Sequence, residues 1–307
     1  MVIGFIISVI SIFVSGYYQL DAINKEFDVS VKSALVHKEH FLHTQTNNFK
    51  NYLFAVDSTS EFKKFIQTNS NDYLYNQQHA THLMMAISKS APTIMQFRFI
   101  NKFGLETIRI DRKSVGSSPF LVDKQSLQNK AGRYYFQEVK VLSEDKIWFS
   151  KLDLNIEHGQ IDKPIVPTLR IAKPYYVNND FKGMLIVNIF MKDILYELMG
   201  SDLFNITLVD KHAHILTHNL DNSNKNVQEW SQYLKYKKDE QHIHKQSEDD
   251  FALNLLFKKQ YSVLDLSKII PNGENLKIII EQKTDKLIEY TQGILSYMLV
   301  MGIIIFL

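Results

Sequence analysis

The sequence predicts an α+β protein in which one long helix precedes two antiparallel sheets, with an apolar stretch at each end. Three observations carry this. Every formal charge falls between Asp21 and Glu289, leaving Met1–Leu20 and Tyr290–Leu307 charge-free. From Asp21 to Asp57 there is neither Gly nor Pro, and apolar residues recur at helical steps. Beyond Pro92 the pattern turns strand-like, and a helix-then-strands order then repeats more weakly.

The composition already narrows the function. With 307 residues, 45% hydrophobic and 22% charged, the chain can bury a core and is not of the disordered class. Zero cysteines exclude disulfides, thiolate zinc sites, iron–sulfur ligation and a cysteine nucleophile. The balance of 35 basic against 33 acidic side chains supplies no field for nucleic acid, so no nucleic-acid partner is expected.

A transmembrane helix takes roughly 20 mostly apolar residues, and each end supplies about that many. Tyr17 and Tyr18 stand near one boundary, and Tyr290 and Tyr297 near the other. Residues 1–20 are read as a first span and 283–307 as a helix entering a second, truncated one. The chain is thus expected to be a fragment lodged in the inner membrane, with residues 21–289 extracytoplasmic and the lipid bilayer as a partner. A cleaved signal peptide would explain the first stretch, but no basic n-region or small-residue cleavage site accompanies it. A buried core helix would explain the second, yet MGIIIFL has no polar face.

Residues 21–92 form the stalk helix and a helical lead-in. Ile23, Phe27, Val31, Leu35, Leu42, Phe49, Leu53 and Val56 share a stripe, and Ala80, Leu83, Met84, Ile87 and Ala91 form the apolar face of a second helix ended by Pro92. Residues 93–190 form a first sheet module. Ile94–Ile100 and Leu105–Asp111 make a hairpin about Asn101–Gly104, followed by strands at Ile147–Leu152, Thr168–Tyr176 and Gly183–Phe190. Residues 191–282 form a smaller module: a helix at Met191–Leu203, a hairpin of Asn205–Asp210 with Ala213–Thr217, and strands at Phe251–Phe257 and Leu276–Gln282. Asp221–Asn226 and Lys235–Asp250 are polar enough to be surface loops.

The run RYYFQEVKVLSEDKIWFSKLDLNIEHGQIDKPIVPTLRIAKPYY at Arg133–Tyr176 resembles the membrane-distal module of double Cache sensor domains. FRFINKFGLETIRID at Phe97–Asp111 resembles the hairpin of that module. GMLIVNIFMKDIL, NITLVDKHAHILTH and EWSQYL, downstream, resemble its closing strand, the connecting helix and a second module. The resemblance implies two stacked PAS-like modules between two membrane helices, a homodimer, and a cytoplasmic output such as a histidine kinase, a diguanylate cyclase or a chemotaxis signalling domain. The complete set of aromatic, Arg and Asp residues associated with amino-acid-binding members is not found.

Of the 35 basic residues only five are Arg: Arg98, Arg109, Arg112, Arg133 and Arg170, all within the first module. A planar five-donor fork suits two-point grip on a carboxylate or phosphate, or stacking on a ring. Aromatics crowd the same stretch, and Tyr135, Trp148 and Tyr175 carry polar tips that need partners when buried. Arg98, Arg109, Arg133, Tyr135, Trp148, Arg170 and Tyr175 are therefore the candidate residues for a small, anionic ligand. The alternative is internal pairing of these Arg with Asp111, Asp153, Glu157 or Asp162. Eleven histidines include helical pairs at spacing three, but no third or fourth metal ligand can be placed; no cofactor is expected. No phosphate loop, GxSxG elbow or HExxH motif is present, so no catalytic site is expected in this chain.

Two function classes follow: a ligand-sensing receptor region of a signalling protein, or a membrane-anchored structural or adhesion protein without a pocket. The receptor topology predicts that a cysteine introduced at Asn224 reacts with a membrane-impermeant thiol reagent on intact cells. Labelling only after lysis would contradict it.

Overall fold

The computed structural model describes residues 2–67, 72–157, 160–161, 165–212, 215–219 and 261–306. They fall into two compact units. One comprises Met1–His40, Met199–Asp265 and Leu276–Leu307; the other comprises Phe41–Leu198 with Leu266–Asn275. Helix α1 (Val2–Asp57) is a single 56-residue element, as the absence of breakers after Asp21 requires, and contributes to both units. Among the described residues no helix is long and apolar enough to cross a membrane. The two spans expected from the charge-free ends are therefore part of the proposal below.

In the larger unit, α1 buries Leu42, Thr46, Phe49, Leu53 and Val56, a stripe at alternating steps of four and three. A short helix α2 (Ser60–Gln67) follows, absent from the sequence-based reading because eight residues are too few to show a period. The Thr59 hydroxyl accepts the Phe62 N–H at its start, and Phe62 and Phe65 are its buried face. Helix α3 (Tyr73–Ser90) stops before Pro92 as expected. Its buried residues are Asn76, Ala80, Met84 and Ser88, a strict i, i+4 row, whereas the expected Leu83 and Ile87 are only half-buried. Polar Asn76 and Ser88 were invisible to a count of apolar positions. Arg112 donates to the carbonyls of Ser88, Ile94 and Ser117, which satisfies an orphan carbonyl in the last turn of α3. This guanidinium holds backbone, not ligand.

The main sheet has seven antiparallel strands. These are β1 (Ile94–Asn101), β2 (Glu106–Asp111), β3 (Phe120–Leu121), β4 (Trp148–Phe149), β5 (Asp153–Leu154), and the long pair β8 (Pro167–Val177) and β9 (Asp180–Phe190). Their order is β3-β2-β1-β9-β8-β4, with β5 also on β8. A separate two-stranded ribbon joins β6 (Ile156–Glu157) to β7 (Gln160–Ile161). A short helix, α4 (Tyr134–Val139), packs on β8. The strand expected at Ile147–Leu152 is cut to two residues. Ser150 accepts the Arg170 N–H with its hydroxyl, while its carbonyl accepts from Asn272 Nδ2. The ladder is interrupted at a residue whose carbonyl is engaged elsewhere, and it resumes on β8 at β5.

Strand β1 is buried on both faces, Gln96 and Arg98 included. On one face Phe97, Phe99, Leu185, Val187, Leu169 and Ile171 are fully or almost fully buried. The Phe99 ring meets Phe62 and Phe65 edge-on at 5.8 and 5.0 Å. On the other, Ile100, Met184, Ile186 and Ala172 form a cluster with Tyr135, Phe136, Val139 and Trp148. Each large apolar side chain so buried contributes about 1.5–3 kcal/mol.

The smaller unit holds a four-stranded antiparallel sheet in the order β11-β10-β13-β12: β10 (Phe204–Val209), β11 (Ile215–His218), β12 (Tyr261–Asp265) and β13 (Lys277–Gln282). The hairpin expected about Lys211-His212 is β10–β11. The expected strand Phe251–Phe257 and both polar loops lie outside the described residues, and β12 is an addition to the reading. The connecting helix α5 (Lys192–Met199) is shorter than the expected Met191–Leu203, stopping at Gly200. Lys38 Nζ donates to the Gly200 carbonyl at 3.1 Å and Lys283 Nζ to that of Ser201 at 2.9 Å. The last helix, α6 (Thr284–Phe306), starts one residue after Lys283.

The glycine turns give a test of crowding at fixed backbone conformation. Gly104, at φ +81°, closes the β1–β2 hairpin, and an added Cβ would lie 2.5 Å from the Ala131 nitrogen; Gly116, at φ +84°, has open space around it. Gly116→Ala should cost about 1 kcal/mol for the left-handed backbone alone, and Gly104→Ala roughly 2–4 kcal/mol. Equal urea-denaturation losses for the two would contradict the close approach of Gly104 to Ala131.

Candidate functional site

Strand register collects the arginines. Arg98 pairs with Arg109 across β1–β2 and with Ile186 across β1–β9, while Arg170 pairs with Asn188 and Asn188 with Gln96. Directly paired residues share a face, so Gln96, Arg98, Arg109, Asp111, Arg170, Asn188 and Ile186 all project to the side that α4 covers. Tyr175 is placed elsewhere. It alternates with Arg170 and Ala172, and its ring lies 5.0 Å from Phe62 of α2, with Lys173 Nζ 4.6 Å above it. It therefore belongs to the helix-facing side, with its hydroxyl buried and without a hydrogen-bond partner among the described residues.

Three of the candidate arginines are internally paired. Arg98, 2% exposed, donates to Asn188 Oδ1 at 2.7 Å and Glu106 Oε1 at 3.3 Å. Asn188 in turn donates to Gln96 Oε1 at 2.9 Å. Arg109 grips Asp111 with Nε and Nη2 at 2.9 and 2.7 Å and reaches Glu106 Oε2 at 3.5 Å. Arg170 donates to Asp153 Oδ1 at 2.5 Å and Asn155 Oδ1 at 3.5 Å. Of the carboxylates expected from the sequence, Asp111 and Asp153 are used, and Glu106 is the one that reading missed. Gln96 and Asn188 were missed too, although each is the lone amide in an apolar run, IMQFRFI and LIVNIF.

The pairing leaves two guanidinium features unanswered. Arg98 Nε is buried without a hydrogen-bond partner among the described residues. Arg133, half-buried at the N-cap of α4, has no carboxylate partner among the described residues; its Cζ lies 5.9 Å from the Tyr135 ring centroid, and Arg98 Cζ lies 5.8 Å from the same centroid. Glu106, Asp111 and Asp153 each lie within ion-pair distance of Arg98, Arg109 or Arg170, whereas Arg133 meets no carboxylate at that distance among the described residues. The structure thus brings Arg98, Arg133 and Tyr135 together, with Arg109 next to them through Glu106.

Tyr134 joins Arg170 and Trp148 to the same group. Its ring lies 5.7 Å from Tyr135 and 6.0 Å from Trp148, and its hydroxyl approaches Asp153 Oδ2 at 3.5 Å. Burial, helped by the Asp153 charge, pushes the Tyr134 phenol up to about 12, so it stays a donor at neutral pH. Burial likewise raises Asp153 despite Arg170 beside it. Trp148 Nε1 donates to Glu138 Oε2 at 2.8 Å. Among the described residues no cluster of His, Asp and Glu could hold a metal ion.

A sequence model of the bacterial histidine kinase sensor domain matches residues 41–239, about two thirds of the chain. The chain belongs to the bacterial histidine kinase sensor domain family. Solved structures agree with the fold of this sensor domain. The extracellular domain of a histidine kinase designated vpHK1S-Z8 matches with a TM-score of 0.60 at 20% identity, over 89% of this chain and 96% of that one. A domain of a sensory box/GGDEF family protein from Vibrio parahaemolyticus matches with the same TM-score and identity, over 88% and 99%. The sensor domain of the V. cholerae histidine kinase DctB gives 0.50 at 13% identity, over 86% and 98%. Curated protein sequences returned no match. The Cache-type resemblance expected from Arg133–Tyr176 is thereby shown.

Glu106 is the hinge of the sensor's charge balance. Its side chain is fully buried between Arg98 and Arg109, so Glu106→Gln should cost roughly 3–5 kcal/mol by leaving two buried guanidiniums short of a counter-charge. A loss below about 1 kcal/mol in chemical denaturation would mean that the cluster is solvated.

Proposed function

We propose that this sensor domain binds a small anionic molecule on the α4-covered face of the seven-stranded sheet. The carrying observation is the Arg133 guanidinium, without a carboxylate partner among the described residues, set against Tyr135 with Arg98 on the same ring. A carboxylate there would meet the Arg133 guanidinium and Arg98 Nε, which has no partner among the described residues, and Tyr134 and Trp148 would form apolar walls. Arg109 and Arg170 act as fixed members of the network, held by Asp111 and Asp153. Tyr175, on the other face, is no part of the site.

A second reading, a zwitterion, rests on Asp153. Its side chain is about a third exposed and within reach of Tyr134, so it offers a counter-charge for an ammonium group. The ligand-binding domain of a Campylobacter jejuni chemoreceptor, Tlp3, solved in complex with L-norvaline, matches this chain with a TM-score of 0.52 at 11% identity.

In this proposal the charge-free ends cross the inner membrane, residues 21–289 are extracytoplasmic, and the receptor is a homodimer. Its output is a histidine kinase, with a diguanylate cyclase as the alternative that the sensory box/GGDEF relative supports. Ligand binding would act through its difference in affinity between two states of the receptor.

The test is a thermal-shift screen of the full chain in detergent micelles against carboxylates, phosphate, sulfate and amino acids. At least one anion should stabilise, and Arg133→Lys should weaken its binding about 10-fold or more, since a charge-assisted bond is worth roughly 1.5–3 kcal/mol. Stabilisation that survives Arg133→Lys unchanged would remove Arg133 from the site, and stabilisation by neutral compounds alone would overturn the anionic reading.

A further inference from the structure

The smaller unit holds a cavity of its own, of about 80 Å³ and half open to solvent. Its walls are Ile23, Glu26, Phe27 and Ser30 of α1, Leu203 at the foot of β10, Gln282 at the end of β13 and Tyr290 of α6. Phe27 is fixed there by an edge-on contact with Phe204 at 5.3 Å. All seven residues belong to this unit, so the cavity is separate from the guanidinium face.

Among the described lining residues there is one formal charge: Glu26 is the single carboxylate among them, and none of them is Lys or Arg. Lys283, the residue after Gln282, turns its ammonium to the Ser201 carbonyl instead. Two aromatic residues, Phe27 and Tyr290, line the same cavity with Ile23 and Leu203, while Ser30 and Gln282 add neutral hydrogen-bonding groups. A carboxylate beside aromatic faces recognises a cation, by charge and by the ring quadrupole together. It disfavours an anion.

We propose that this cavity is a second ligand site, selective for a small organic ammonium ion. The volume holds about five to eight heavy atoms at most, given that one water takes roughly 10–15 Å³ of such space, so a four-atom ammonium ion fits. Because α1 and α6 both supply walls, an occupant touches the two helices that run on into the charge-free ends. The sheet-face site and this one would therefore have opposite charge preference. The same ammonium chemistry is present in a free amine and in the headgroup of an aminophospholipid.

Ligand-observed NMR on the full chain in maltoside micelles tests this, with propylammonium as probe and propanol and propionate as its neutral and anionic counterparts. Propylammonium should bind saturably, on the order of 1–10 mM as expected for so few atoms, and better than either counterpart. Glu26→Gln should weaken it about 10-fold or more, and Arg133→Lys should leave it unchanged. Glu26 is exposed, so its replacement should not unfold the chain, and far-UV circular dichroism checks this. Should Glu26→Gln fail to fold, screening decides: 0.5 M NaCl should weaken propylammonium and not propanol. No saturable binding, equal binding of propanol, binding that survives Glu26→Gln, or loss on Arg133→Lys would each overturn the proposal. Competition by phosphatidylethanolamine doped into the micelles assigns the lipid headgroup as occupant, and its absence assigns the free amine; both outcomes support the cation chemistry.

Discussion

The structure depends on the burial of both faces of the seven-stranded sheet. A sheet with one face in water can carry Arg, Asp and Asn there at little cost. Here α2 and α3 pack on one face, where Asp57 at the end of α1 also meets Lys173, and α4 and its neighbouring segments cover the other, so each charged strand residue must be answered inside the protein. The Gln96–Asn188–Arg98–Glu106–Arg109–Asp111 chain is that answer, and a buried network of this kind gains stability with each member that is satisfied. Arg98 Nε, without a hydrogen-bond partner among the described residues, and Arg133, without a carboxylate partner among them, stand out against the pairing of the other guanidinium groups.

The network also explains why the arginines are arginines. Arg109 holds Asp111 through two nitrogens while a third reaches Glu106, which a lysine ammonium on a flexible stem cannot reproduce. Arg112 donates to three carbonyls of separate segments and thereby fixes the last turn of α3 against β1. One residue type thus performs two tasks within one unit, and only the geometry separates them.

Much of this was legible in the sequence. The uninterrupted α1, the hairpin at Asn101–Gly104 and the long strands β8 and β9 follow from local rules: absence of breakers, a glycine at positive φ, and apolar runs bounded by turn residues. The five arginines that the sequence confines to one module all lie in the larger unit. Which face each side chain takes was not legible for Tyr175, since a run of eleven buried or half-buried residues in β8 gives alternation no polar signal to follow. Glu106 and Asn188 escaped for a related reason. A single polar residue in an apolar run looks like an exposed position until the register shows what lies across from it. Helix α2 and strand β12 were missed because they are too short to declare a period.

The central claim is that an anion is held between Arg133, Arg98 and Tyr135, beside Tyr134 and Trp148. Trp148 and Trp230 are the two tryptophans, so in a Trp230→Phe background the emission comes from Trp148 alone. Its titration with a panel of carboxylates, phosphate and sulfate should show a saturable change with at least one anion, abolished by Arg133→Lys together with Arg98→Lys. Emission indifferent to every anion, or an identical response in the doubly substituted chain, would contradict the account.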